Sequence, residues 1–170
     1  MADLVTTLAA ELTSRGLMLS TAESCTGGLV AAACTDVAGS SVWFDRGFVT
    51  YSNAAKHEML GVPLALIEQH GAVSEAVAGA MALGAFTERA VLKSQAQVAI
   101  SITGIAGPGG GSLDKPVGTV CFGWVVANQS TSQCKTETVL LTGDRVSIRM
   151  QATHYALCEL LRLLKQNLVS

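Results

Sequence analysis

The chain has 170 residues, of which 49% are hydrophobic and only 14% charged, with a formal charge of −2 and a mean hydropathy of +0.42. This length is typical of one domain with its own core, and the near-neutral charge gives no electrostatic footprint for nucleic acid or an anionic membrane. No run approaches the roughly 18 to 20 apolar residues of a membrane span, and no basic segment indicates a signal peptide. We therefore expect a single soluble domain over 1–170, located in the cytoplasm.

Metal and disulfide chemistry finds little support in the sequence. The cysteines are odd in number and form no CxxC pair: Cys25, Cys34, Cys121, Cys134 and Cys158. Such spacing predicts neither a disulfide framework nor a zinc site. The histidines are too far apart to indicate a metal cluster or a Ser-His-Asp triad: His57, His70 and His154. We expect reduced thiols, no metal and no cofactor.

The first half of the chain alternates helical and extended patterns. Leu4, Leu8 and Leu12 recur at helical spacing, and Gly16 ends that pattern. Ser52 is placed to cap a short helix that Gly61 closes. These signals predict helices over 3–15, 27–37, 54–60 and 63–69, and strands over 17–20 and 47–51.

The second half ends in a long amphipathic helix. An alanine-rich segment over 75–90 predicts a further helix, and the nearly continuous apolar run 97–102 is typical of a strand covered on both faces. Strands over 117–127 and 134–141, joined by the polar loop 128–132, predict a hairpin. The last helix is expected to bury one face: Val146, Met150, Thr153, Leu157, Leu161 and Leu164. This order predicts a three-layer α/β/α sandwich with a mostly parallel, mixed sheet and one antiparallel strand.

Three polar stretches follow predicted strands. They are 22–28 (AESCTGG), the 51–56 junction that carries Tyr51 and Lys56, and the glycine-rich loop 103–111. Ligands of parallel α/β sheets bind at the carboxyl ends of strands. We therefore expect these three stretches to meet at one edge of the sheet.

A serine and a lysine are the residues in these stretches best suited to catalysis. Ser24 is either a nucleophile or the N-cap of the following helix. Lys56 can activate a serine if burial lowers its pKa, although a solvated lysine is the simpler interpretation. Tyr51 relays a proton, orients Lys56, or is an ordinary strand aromatic with its hydroxyl at the rim. Cys25 is a weaker candidate nucleophile because no histidine accompanies it.

Around this pair, several groups are candidates for holding an oxyanion or an anionic ligand. Glu23 can fix an amide or hydroxyl, pair with Arg46 or Lys56, or simply orient its loop. Backbone N–H groups that could stabilise an anion come from both glycine-containing loops: Thr26, Gly27, Gly28, Thr103 and Gly104.

Five stretches stand out in order along the chain: AESCTGG at 22–28, GFVTYSNAAK at 47–56, GAVSE at 71–75, TGIAGPGGG at 103–111 and KPVGTV at 115–120. Together they resemble the C-terminal domain family of the competence/damage-inducible protein CinA. The resemblance covers roughly 3–165. It implies hydrolysis of the carboxamide of nicotinamide mononucleotide, giving nicotinic acid mononucleotide and ammonia, by a metal-independent serine amidohydrolase that is often a dimer.

Carried over by motif, the resemblance makes Ser24, Lys56 and Tyr51 catalytic. Ser41 is a second serine that the family pattern places near the pocket, and it stays open which serine attacks, although Ser24 is favoured. The substrate phosphate could be held by Arg46, by Lys115 or by N–H groups from Gly107 onward. Two alternatives remain: a non-enzymatic binding or regulatory module with this fold, and an amidase for a different nucleotide amide.

Overall fold

The structure is a computed structural model that describes residues 1–86, 97–127 and 132–166, with side chains at 127, 132 and 133 excepted. Its elements in chain order are α1 (Ala2–Ser14), β1 (Leu19–Glu23), α2 (Leu29–Thr35), a 3₁₀ turn (Ser40–Val42), β2 (Phe44–Val49), α3 (Asn53–Leu60), α4 (Leu64–His70), α5 (Glu75–Phe86), β3 (Val98–Gly104), β4 (Thr119–Ala127), β5 (Ser132–Leu140) and α6 (Arg145–Gln166). None of the helices described is long and apolar enough to cross a membrane.

The five strands form one mixed sheet in the order β2-β1-β3-β4-β5. Strand β1 pairs in parallel with both β2 and β3, whereas β4 pairs antiparallel with β3 and with β5. Only β4 therefore runs against the other four strands, which confirms the predicted mixed sheet with one antiparallel strand. The carboxyl ends of β1, β2 and β3 lie at the same edge.

Helices cover both faces of the sheet. On one face α5 packs across β1, β3, β4 and β5, with α3 and α4 against it. On the other face α1, α2 and α6 pack together over a second core that includes Leu8, Trp43 and Phe122. The three-layer α/β/α sandwich is therefore confirmed.

Several predicted boundaries are displaced because polar residues are buried inside strands. Strand β1 continues beyond its predicted end at Ser20 through Thr21 and Glu23, both 0–1% exposed, although their polarity suggested a loop. Strand β2 begins at Phe44, three residues before its predicted start, and β3 runs through Thr103 and Gly104. Positions 87–90 of the predicted alanine-rich helix, and 128–131 of the hairpin loop, lie outside the described residues.

Two helices also differ from prediction. Helix α2 starts at Leu29 because Gly27 and Gly28 have φ values of 62° and 98°, which a right-handed helix does not accommodate. At the start of α6 the buried stripe is wrongly phased in the prediction, since Val146 and Met150 are 65% and 45% exposed. Farther along the helix the predicted Thr153, Leu157 and Leu164 are buried. Beside them lies a buried row that repeats every four residues: Ile148, Ala152, Ala156, Leu160 and Leu164. Small alanines, which carry a weak apolar signal, make up its middle.

Candidate active site

A cavity of about 210 Å³ opens at the sheet edge where β1, β2 and β3 end. Its lining comes from all three predicted stretches and from two other segments, at 72–73 and at the start of α6: Ser24, Cys25, Tyr51, Asn53, Lys56, Ala72, Val73, Thr103, Gly104, Ala106 and Arg145. The parallel pairing of the three strands is what gathers these residues, since each stretch follows the carboxyl end of its strand.

The capping group of α2 is Glu23 rather than Ser24. The buried Glu23 carboxylate accepts hydrogen bonds from the backbone N–H groups of Gly28, Val30 and Ala31 at 2.9–3.1 Å. A carboxylate at a helix N-terminus also interacts favourably with the helix dipole. Glu23 therefore orients its loop instead of touching the cavity, and the Ser24 hydroxyl is not needed as a cap.

Lys56 reaches Ser24 from the first turn of α3. The helix is capped by Ser52, whose hydroxyl accepts the N–H of Ala55 at 3.0 Å, and this cap fixes where the lysine projects. Lys56 Nζ lies 3.1 Å from Ser24 Oγ, and Lys56 as a residue is 1% exposed. Burial lowers the pKa of Lys56 below its ordinary value of 10.5. The pair has the arrangement expected of a nucleophile and its base.

The other partners of Lys56 are two backbone carbonyls. Its Nζ donates to Thr50 O at 3.0 Å and to Tyr51 O at 3.3 Å. A neutral amine has two N–H donors and one lone pair. With both donors directed to carbonyls, the lone pair is free to accept the Ser24 O–H.

Tyr51 contacts Lys56 through its carbonyl and not through its phenol. The side chain is 64% exposed, and its hydroxyl accepts a hydrogen bond from Arg145 Nη2 at 3.3 Å. Arg145 Nη1 also donates to Gly107 O at 2.7 Å. The phenol therefore forms part of the cavity rim with Arg145, and it makes no hydrogen bond to Ser24 or Lys56 among the described residues.

The predicted oxyanion donors divide into occupied and available groups. Gly28 N–H donates to Glu23 and Gly27 N–H donates to Ser24 O at 3.1 Å, so neither is available to a ligand. Within the described part of the chain, the N–H groups of Cys25 and Thr26 have no protein acceptor. These two donors directly follow Ser24 in the chain, and Cys25 lines the cavity.

Arg149 holds the loop that carries these donors. Its Nε donates to Cys25 O at 3.0 Å and its Nη2 to Thr26 O at 2.8 Å. Cys25 itself is a poor nucleophile, because burial raises the pKa of its thiol to about 11 and keeps it protonated near neutral pH.

Some predicted residues lie in or near the cavity and others do not. Thr103 and Gly104 line it, although the Thr103 hydroxyl is directed to Ala72 O at 2.8 Å. Gly107 contributes only the carbonyl that Arg145 contacts. Ser41 is exposed in the 3₁₀ turn before β2, at the opposite edge of the sheet, and Arg46 lies on β2 against Asp45. Neither Ser41 nor Arg46 lines the cavity.

The sequence prediction missed Arg145 and Arg149, which come from α6, about 120 residues after Ser24. One signal for Arg145 was available. It is the first residue of α6, where a positive charge is unfavourable with the helix dipole, and an arginine in that position suggests a role outside the helix. Arg149 carried no such signal, because its carbonyl partners depend on how α6 packs against α2.

Fold and cavity together define a three-layer α/β domain with a buried serine–lysine pair at the carboxyl edge of its parallel strands. The family model of the CinA C-terminal domain matches residues 1–164. A nicotinamide-nucleotide amidohydrolase PncC from Enterobacter agglomerans is 51% identical over 160 residues, covering 94% of this chain and 93% of that protein. The protein of the same name from Escherichia coli K12 is 51% identical over 156 residues, covering 92% and 90%.

Solved structures agree with these sequence relatives. The crystal structure of competence damage-inducible protein A from Klebsiella pneumoniae superposes with a TM-score of 0.88 at 37% identity, covering 96% of each chain. That of the competence/damage inducible protein CihA from Agrobacterium tumefaciens has a TM-score of 0.85 at 44% identity. The chain belongs to the CinA C-terminal domain family, as the sequence motifs indicated.

Proposed function

We propose that this protein is a nicotinamide-nucleotide amidohydrolase that converts nicotinamide mononucleotide into nicotinic acid mononucleotide and ammonia. The relatives named for this reaction match the chain over nine-tenths of its length, which supports the reaction and its substrate. The observation that carries the chemistry is the 3.1 Å contact between Ser24 Oγ and a lysine that is 1% exposed.

In the first step, neutral Lys56 accepts the Ser24 proton as Oγ attacks the carboxamide carbon. The carbonyl π electrons move onto oxygen, and we assign stabilisation of the resulting oxyanion to the N–H groups of Cys25 and Thr26, which have no protein acceptor among the described residues. When the tetrahedral intermediate collapses, the C–N bond breaks and the Lys56 ammonium donates its proton to the departing nitrogen. Ammonia leaves, and the nicotinoyl group remains as an ester on Ser24.

In the second step, water replaces ammonia in the same site. Lys56 takes a proton from the water molecule as the water oxygen attacks the ester carbon, and the C–O bond to Ser24 then breaks. The proton returns through Lys56 to Ser24 Oγ, which regenerates the enzyme and releases the carboxylic acid. Each proton transfer uses the one amine, and a lysine of lowered pKa can both accept and donate near neutral pH.

For the substrate phosphate we propose Arg145 in place of the earlier candidates. Arg145 lines the cavity at its rim, whereas the Lys115 ammonium contacts two carbonyls and Arg46 lies away from the cavity. A guanidinium binds phosphate oxygens in a bidentate manner. Its partners in the structure, a phenol and a carbonyl, are neutral groups that a phosphate could displace.

We further propose a cytoplasmic homodimer. The five cysteines are free thiols, as expected in a reducing compartment. Val146 and Met150 are 65% and 45% exposed one turn apart on α6, and they form an apolar surface suited to a second copy of the chain. Sedimentation velocity of the purified protein would separate the dimer from the monomer.

Ammonia release from nicotinamide mononucleotide by the purified wild type tests the proposed activity. We expect turnover of the mononucleotide to exceed that of the riboside and of free nicotinamide, because only the mononucleotide carries a phosphate for Arg145. Binding without ammonia release between pH 6 and 10 would instead indicate a non-catalytic binding module. Faster turnover of another nucleotide amide would change the assigned substrate.

A further inference from the structure

Lys115 is outside the cavity, yet it contacts the loop that forms one of the cavity's walls. Its Nζ donates to His70 O at 3.0 Å and to Val73 O at 2.7 Å. These carbonyls are on either side of Gly71 and Ala72. Ala72 and Val73 line the same cavity as Ser24 and Lys56.

Four consecutive carbonyls of this 70–73 loop accept hydrogen bonds from side chains. Lys115 binds the first and last, the Ser74 hydroxyl donates to Gly71 O at 2.9 Å, and the Thr103 hydroxyl donates to Ala72 O at 2.8 Å. The carbonyls of a loop can be satisfied by backbone groups, by side chains or by water. Here side chains from three separate segments fix the orientation of every peptide group in the loop.

Gly71 allows Lys115 to approach this closely. Its φ is +77°, a conformation that favours glycine, and a Cβ at this position would lie 3.4 Å from Lys115 Nζ. The backbone of Lys115 is itself anchored, because its N–H donates to the Ser112 hydroxyl at 3.1 Å and its carbonyl accepts the N–H of Ser112 at 2.9 Å. The ammonium thus projects from a fixed turn onto a fixed pair of carbonyls.

We propose that Lys115 is a positioning residue, which sets the 70–73 loop as the substrate-binding wall of the cavity. The proposal rests on the amidohydrolase function proposed above. Lys115 touches neither Ser24 nor Lys56, so its removal leaves the serine–lysine pair in place and displaces only the opposite wall. A wall that contacts substrate equally in the ground state and the transition state changes KM more than kcat.

The test compares Lys115→Met with Lys115→Arg and with the matched surface control Lys165→Met. Lys165 is exposed near the end of α6, and its replacement by Met removes the same charge far from the cavity. For Lys115→Met we expect KM for nicotinamide mononucleotide to rise about tenfold or more, with kcat within about threefold of wild type. In Lys115→Arg the rise in KM should be smaller than in Lys115→Met, and Lys165→Met should leave both KM and kcat unchanged.

Two further measurements separate positioning from a general loss of structure. Hydrogen exchange of the amides at 71–74 should become faster in Lys115→Met, while amides of β1 and β3 keep their wild-type protection. Labelling of Ser24 by a small sulfonyl fluoride, which needs no substrate wall, should keep its wild-type rate. An unchanged KM, unchanged exchange at 71–74, or an equal fall of kcat and of Ser24 labelling would each overturn the proposal.

If Lys115→Met does not fold, Lys115→Arg decides by the same criteria, since it keeps the charge and alters only the geometry of the two contacts. If the wild type releases no ammonia, the function proposed above fails. Amide exchange then still decides whether Lys115 fixes the conformation of the 70–73 loop. Its role in substrate binding is rejected in that case.

Discussion

Two lysines of this protein lie in opposite electrostatic surroundings. Lys56 is buried, its contacts are two carbonyls and a hydroxyl, and burial lowers its pKa. Lys135, on β5, is 37% exposed in its side chain and lies 2.6 Å from a Glu159 oxygen and 3.0 Å from a Glu137 oxygen. Its pKa is raised, chiefly by the hydrogen bond to Glu159.

The difference shows how one residue type serves two purposes. Carboxylates near Lys135 favour its charged form, which makes it a structural ion-pair partner. Neutral carbonyls around Lys56 satisfy its N–H groups without compensating a charge, so desolvation favours the neutral amine. Since no carboxylate of the described residues contacts Lys56, we infer that its surroundings favour the neutral amine, which is the form that the proposed role as a base requires.

The largest effect is expected from Ser24→Ala. Removing the nucleophile should lower kcat for ammonia release by roughly 10⁴-fold or more, while the fold and substrate binding are retained. Ser41→Ala is the matched control and should keep wild-type turnover, because Ser41 is exposed at the opposite edge of the sheet. An inactive Ser41→Ala beside a nearly normal Ser24→Ala would reverse the assignment of the nucleophile.

Lys56→Met should lower kcat by roughly 10²- to 10⁴-fold, the usual contribution of a general base. Its stability should be equal to or higher than that of the wild type at neutral pH, since it removes a buried amine. The control Lys135→Met should behave in the opposite way, with unchanged kcat and a small loss of stability. Ammonia release and urea unfolding, measured on both variants, would contradict this pattern if Lys56→Met were the less stable of the two.

Lys56 also makes the folding stability of the protein depend on pH, and the direction of that dependence follows from its pKa. In the unfolded chain the lysine pKa is near 10.5, and in the folded protein it is lower. Between the two values the unfolded state binds more protons, so stability rises with pH through that window. Wild type should therefore gain stability relative to Lys56→Met as the pH rises toward 10.5, which urea unfolding at several pH values would measure.

The smallest effect is expected from Glu159→Gln. Hydrogen bonds from Arg162 and Lys135 lower the pKa of Glu159 to about 2. Its stabilising contribution is complete above the unfolded pKa of 4.5 and is lost as the pH falls toward 2. Both partners are partly exposed, so we expect a loss of about 1 kcal/mol or less near neutral pH and unchanged ammonia release. A thermal melt and the ammonia assay together check both points.

Much of the fold was predictable from sequence because it follows from local periodicity and from strand order. The three stretches after predicted strands, including AESCTGG, were expected at one edge, and the parallel pairing of β1 with β2 and β3 places them there. What local patterns could not give was the burial of Ser20, Thr21 and Glu23 inside β1. Ser20 donates to Ala85 O far along the chain, Glu23 accepts from the N-terminus of α2, and Thr21 donates to the Glu23 carboxylate that this cap holds in place.

The site was predictable to the extent that its residues lie beside glycine-containing motifs. Ser24 and Lys56 were both recognised, but whether Lys56 is buried depends on packing that its neighbours Ala54 and Ala55 only permit. Arg145 and Arg149 were missed because their contacts cross from α6 to loops about 40 to 120 residues earlier. Apart from the unfavourable place of Arg145 at the start of α6, nothing in a local window of sequence indicates such long-range contacts.

The most direct test of Lys56 as the base for Ser24 is the pH dependence of kcat/KM for ammonia release, measured on wild type and Lys56→Met side by side. We expect the wild-type value to rise with pH through one ionisation below 10.5, the ordinary pKa of lysine, because only the neutral amine accepts the Ser24 proton. Lys56→Met should lose that ionisation together with most of the rate. The same inflection in the residual activity of Lys56→Met would show that another group is the base.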